Sequence, residues 1–92
     1  MTDRIDFERI LGLLHDDREL FELLCEENFL PRGAREFTLE HADTARVVGT
    51  LVHELEVNWA GATVILRMRS EILATRRQVA DLLELLRGMD GT

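Results

Sequence analysis

Lysine is absent from this chain, and cysteine and proline occur once each, as Cys25 and Pro31. One cysteine excludes an internal disulfide, and a chain that depended on oxidising conditions would carry an even set. A single proline in a chain that is 46% apolar excludes a proline-rich or disordered class. Long apolar runs are missing too. The longest uncharged stretch, Val57 to Leu66, falls far short of a membrane span. No basic segment followed by an apolar run and a small-residue cleavage site opens the sequence, so the expectation is a cytoplasmic protein without a leader or membrane anchor.

What is present is a short, acidic, apolar-patterned chain. Its 92 residues allow one core, and a core that small usually gains stability by oligomerisation when disulfides and metals are missing. Net charge is −7 and unevenly placed. Residues 1–30 carry Asp3, Asp6, Glu8, Asp16, Asp17, Glu19, Glu22, Glu26 and Glu27 against Arg4, Arg9 and Arg18, a balance of −6. Residues 59–87 carry Glu71, Asp81 and Glu84 against five arginines, a balance of +2. The acidic end repels phosphate backbones and attracts a basic partner.

Apolar spacing predicts an all-α chain in one domain, residues 1–92. Asp6 caps a first helix with Phe7, Ile10, Leu11 and Leu14 on one face. His15-Asp16-Asp17 breaks it, and Asp16 with Glu19 forms a capping-box-like pair that starts a second. There Leu20, Leu23 and Leu24 face inward with Phe21 beside them, and Glu22, Glu26 and Glu27 face outward. Two short helices and a tight turn suggest a helix-turn-helix. Pro31 closes the unit, and residues 32–37 form a very short wing, with Glu36-Phe37 extended. Thr38 caps a connecting helix over 38–57, running to about Glu56, with Val47, Val48, Leu51, Val52 and Leu55 inward. Asn58 caps the last helix, Trp59 anchors the junction, and Gly88 and Gly91 end the helix.

The last helix, residues 58–88, carries a heptad. Ile65, Ile72, Val79 and Leu86 occupy a, and Met68, Thr75, Leu82 and Met89 occupy d. In a parallel pair, Glu71 at g would reach Arg76 at e of the second copy. The helix outruns the connecting helix, so a helical hairpin leaves Leu82, Leu83, Leu85 and Leu86 uncovered. The expectation is a homodimer whose interface is Ile65, Met68, Ile72, Val79, Leu82 and Leu86.

Catalytic chemistry finds no footing. His15, His41 and His53 stand at no metal-ligand spacing with one another or with Cys25. Glu26 and Glu27 disfavour a Cys25 thiolate. Gly12, Gly33, Gly49 and Gly61 are isolated and form no phosphate loop. No enzyme, metal site or cofactor is expected. As a DNA reader the second helix is poorly equipped, offering Arg18 against Glu19, Glu22, Glu26 and Glu27.

The order of parts resembles the MerR-type architecture, with a degenerate helix-turn-helix. Within it, residues 51–62 and 65–72 are similar to the chaperone modulator CbpM family. The His53-Glu54-Leu55 triplet, Trp59 and Gly61 stand at the spacing of that family's junction. The resemblance covers Leu30 to Arg87. Before Leu30 only the helix pattern matches, and Asn28-Phe29 stand where a glycine usually precedes the Leu-Pro step. The resemblance implies a helical homodimer that binds the J-domain of a DnaJ-like (CbpA-type) co-chaperone and blocks its use with the heat-shock chaperone. Charge alone nominates Asp16, Asp17, Glu19, Glu22, Glu26 and Glu27 as partner contacts. The alternatives are a MerR-like DNA-binding transcriptional regulator and a plain dimerisation subunit.

Overall fold

The computed structural model describes residues 4–90, with only the backbone of Asp90. Gly91 lies outside the described residues. The chain is mostly helical, in the order β1 (Ile5–Asp6), α1 (Phe7–Leu13), α2 (Arg18–Glu26), β2 (Glu36–Phe37), α3 (Leu39–Gly49), a π-helical turn (Thr50–Glu54) and α4 (Trp59–Asp90). It divides into two compact units at Ala62/Thr63.

Local chemistry explains where most of the helices start. The Asp6 carboxylate accepts from the Arg9 N–H at 2.9 Å, and Ile10, Leu11 and Leu14 are buried behind it. Thr38 Oγ1 accepts from the His41 N–H while His41 Nδ1 accepts from the Thr38 N–H, a reciprocal box with histidine in the usual Glu/Gln place. Asn58 Oδ1 accepts from the Gly61 N–H at 2.8 Å to open α4.

The start of α2 differs from expectation. Its cap is Asp17, whose carboxylate accepts from the Leu20 N–H at 3.0 Å, and not Asp16. His15 and Asp16 both sit at φ 59°, in a left-handed turn, and the Asp16 N–H donates to the Leu11 carbonyl at 2.8 Å. The turn therefore uses one residue more than the spacing suggested. At the other end Asn28, at φ 64°, reverses the chain, and the Phe29 and Leu30 N–H groups donate to the Leu24 carbonyl.

The Glu36–Phe37 segment is extended, but it forms no wing hairpin of its own. It pairs antiparallel with Ile5–Asp6, placing Ile5 opposite Phe37 and Asp6 opposite Glu36. The fold is thus mostly helical with a two-stranded ladder, where all-α was expected. Phe37 is 2% exposed. Phe21 meets Phe7 edge-on at 4.9 Å and Phe37 at 6.1 Å between ring centres, so the ladder closes one side of an aromatic cluster.

The third helix ends earlier than its apolar spacing predicts. It stops at Gly49, and the next five residues form a wider π-helical turn in which the Leu55 N–H donates to the Thr50 carbonyl. A wider turn rotates every later side chain off the 3.6-residue register. Val48 stays buried and Val47, Leu51 and Val52 are partly covered, but Leu55 is 63% exposed. Gly49 marks the crossing with α1: a Cβ there would overlap the Leu13 carbonyl oxygen.

In α4, Ala62, Thr63 and Leu66 are buried, and every residue from Ser70 to Met89 is exposed. Gly88 lies inside the helix and does not end it. Its intrinsic penalty, about 1 kcal/mol, is too small to stop a long helix alone. Among the described residues no helix is long and apolar enough to cross a membrane.

Candidate functional site

Alternation around α2 creates the first surface of interest. Leu20, Leu24 and Cys25 are buried on one side of the helix. Glu19, Glu22 and Glu26, at helical spacings of three and four, are exposed together on the other. Glu27 is also exposed, but as the C-terminal cap it lies off this stripe. Asp16 is exposed on the left-handed turn.

Asp17 has a different part to play. Besides capping α2 it meets His53 Nε2 at 2.8 Å through its other oxygen. The Leu20 N–H holds its carboxyl below the usual 3.8; partial burial opposes this, and His53 adds to the lowering. His53 stacks on His15 with ring centres 4.9 Å apart. His15 Nε2 lies 3.4 Å from Glu54 Oε2, which also accepts from the Thr50 hydroxyl at 3.5 Å. Asp17, His53, His15 and Glu54 thus form a polar clasp between the turn before α2 and the π-helical turn. The structure gathers Glu19, Glu22 and Glu26 into one stripe and assigns Asp17 to this clasp.

Beside the stripe runs a shallow groove of about 240 Å³, lined by Leu20, Leu23, Val52 and Trp59 with Asp17 and Glu19 at its rim. Apolar spacing places Leu23 and Val52 in the core and Trp59 at a junction. All three are only partly covered. The π-helical turn brings Val52 to α2, and no local spacing rule anticipates that turn. A charged rim beside a small apolar floor suits an amphipathic basic segment, the charges selecting it and the floor holding it.

The Cys25 thiol is buried, with Sγ 4.0 Å from the Pro31 carbonyl. Burial first and Glu22 second push its pKa up, which makes it a poor nucleophile. Among the described residues, no three of the His, Cys, Asp and Glu side chains are grouped to hold a metal ion.

The second surface is the face of α4. Ile65, Met68, Ile72, Val79, Leu82 and Leu86 are between 37% and 55% exposed. Leu73, Leu83, Leu85 and Met89 widen the apolar band. Ile65, Met68, Ile72 and Leu73, with Arg69 and Arg76, bound a groove of about 450 Å³ along the helix.

No family model matches the chain, and neither a curated protein nor a solved structure does.

Proposed function

We propose that this protein is a regulator of the CbpM kind. In this reading it binds the J-domain of a DnaJ-like (CbpA-type) co-chaperone through the acidic face of α2 and inhibits its work with the heat-shock chaperone. It acts as a homodimer held by α4. The observation that carries the reading is the pairing of the exposed Glu19-Glu22-Glu26 stripe with the Leu20-Leu23-Val52-Trp59 groove. J-domains present a basic helix to their chaperone, and such a helix is complementary to this surface in sign and in amphipathic character. The resemblance of residues 51–72 to the CbpM junction supports the same partner.

Nucleic acid is the less favoured ligand. The exposed side of α2 carries Arg18 and three glutamates, and a phosphate backbone would meet net repulsion there. The MerR-like regulator is therefore kept only as the outcome that a low-salt DNA-binding assay would reveal.

The test is functional. ATP hydrolysis by the heat-shock chaperone, stimulated by the cognate J-domain co-chaperone, should fall as this protein is added. It should recover when Glu22→Arg and Glu26→Arg are introduced together. Stimulation unchanged at excess protein would sink the proposal.

A further inference from the structure

The groove beside α2 shares one of its rim carboxylates with a pair of stacked histidines. We propose that protonation of His15 and His53 weakens partner binding at this groove, so that the site holds a basic helix at neutral pH and loses it under mildly acidic conditions. The inference rests on the basic-partner reading above and adds a means of regulating that same site.

Asp17 is the shared group. It lines the groove, and its carboxylate also meets His53 Nε2 at 2.8 Å. His53 directly follows Val52, another lining residue, so a proton on this ring arrives at the edge of the groove. Charging the imidazole turns the contact with Asp17 into a charge-assisted bond, the stronger kind. Asp17 is then neutralised inside the clasp and attracts an incoming arginine or lysine less.

His15 extends the effect. Its Nε2 lies 3.4 Å from Glu54 Oε2, a contact that becomes an ion pair only when the ring is charged. The surroundings hold the ring in place. It stacks on His53 with 4.9 Å between centres and 17° between planes, and its Cδ2 would lie 3.3 Å from a Cβ placed on Gly49. The two pairings cross, because each turn gives the other one histidine and one carboxylate. The side chains of His15 and His53 are 43% and 33% exposed, so protons reach both.

Charge fixes the direction of the response. Among the described residues, the rings face Asp17 from the turn before α2, Glu54 from the π-helical turn, and each other, while α3 offers the uncharged Gly49. Asp16, Arg18 and Glu19 flank Asp17 along the chain. With neutral rings Asp17 and Glu54 give the clasp a charge of −2, and two protons cancel it. Histidine is the side chain that changes charge between pH 5 and 8. Asp17, held below 3.8, stays ionised over that range. Charges this close to the groove lie well inside the Debye length of about 10 Å at 0.1 M salt. Losing two negative charges there should lower the affinity for a basic helix roughly fivefold.

Calorimetric titration of the full chain with the J-domain of the proposed co-chaperone tests this at pH 7.5 and 5.5, at one ionic strength. Wild-type protein should bind about fivefold more weakly at the lower pH. The His15→Gln, His53→Gln protein should lose most of that difference, because glutamine keeps an N–H for each carboxylate but does not titrate. Any titration of the partner's own side chains survives the substitution and is subtracted by it. Each single substitution should remove part of the difference, which keeps the test standing if the double variant does not fold. At pH 6.5, titration in two buffers of different ionisation enthalpy should show protons released on binding, and fewer from the double variant. Affinity that rises or stays level at pH 5.5, or falls equally in both proteins, overturns the regulation and leaves the partner reading intact. No binding at either pH overturns both.

Discussion

Gly49 and Gly12 look alike in the sequence and differ sharply in the fold. Both lie in or at the end of a helix, where intrinsic propensity favours a better helix former. At Gly12 nothing lies within 4 Å of the place an alanine methyl would take, whereas at Gly49 that methyl meets the Leu13 backbone, which has no flexible end to move aside. Gly12→Ala should therefore stabilise by about 0.5–1 kcal/mol, and Gly49→Ala should destabilise by roughly 1–3 kcal/mol through overpacking. Denaturant unfolding at fixed protein concentration compares them. Asp17 gives a second test at this scale. Its folded carboxyl titrates below 3.8, so its contribution to stability is complete above that pH and is lost as pH falls through the lower folded value. Asp17→Ala should cost about 1 kcal/mol at neutral pH through loss of the cap. Asp17→Asn should retain most of the cap and flatten the dependence of stability on pH below about 4, because an amide does not titrate.

At the scale of elements, α2 and α4 should fail in different ways. Glu22→Arg with Glu26→Arg changes exposed side chains only, so it should leave the unfolding free energy within about 0.5 kcal/mol while abolishing the proposed J-domain binding. Ile72→Asp puts a charge in the middle of the proposed seam. It should dissociate the proposed dimer and reduce helical circular dichroism, because residues 70–89 are exposed along their whole length and in that reading take their cover from pairing. Elements set by local chemistry were legible in the sequence. The Asp6, Thr38 and Asn58 caps need only a side chain and an N–H three residues on, and the apolar faces of α1 and α2 follow from spacing. Elements set by distant contacts were not. A two-residue β1 has no period to detect, and its strand character comes from Phe37. The end of α3 at Gly49 and the exposure of Leu55 follow from a π-helical turn that no apolar pattern announces. The exposure of Glu19, Glu22 and Glu26 was therefore readable, and the groove beside them was not.

Over the whole molecule, charge and apolar surface are kept apart: the acidic stripe belongs to α2 and the long apolar band to α4. The proposed binding through the first is electrostatic in selection, so its affinity should fall as salt rises. The proposed pairing through the second is mainly apolar and should change little over the same range. Trp59 is the only tryptophan and lines the groove, so occupancy should shift its fluorescence without any added label. The most direct test is a titration of the protein with the J-domain of the proposed co-chaperone partner at low ionic strength, followed by calorimetry and by Trp59 emission. The account predicts saturable binding that weakens with salt and disappears in the Glu22→Arg, Glu26→Arg protein. Absence of binding at low salt, or undiminished binding by the charge-reversed protein, would contradict it.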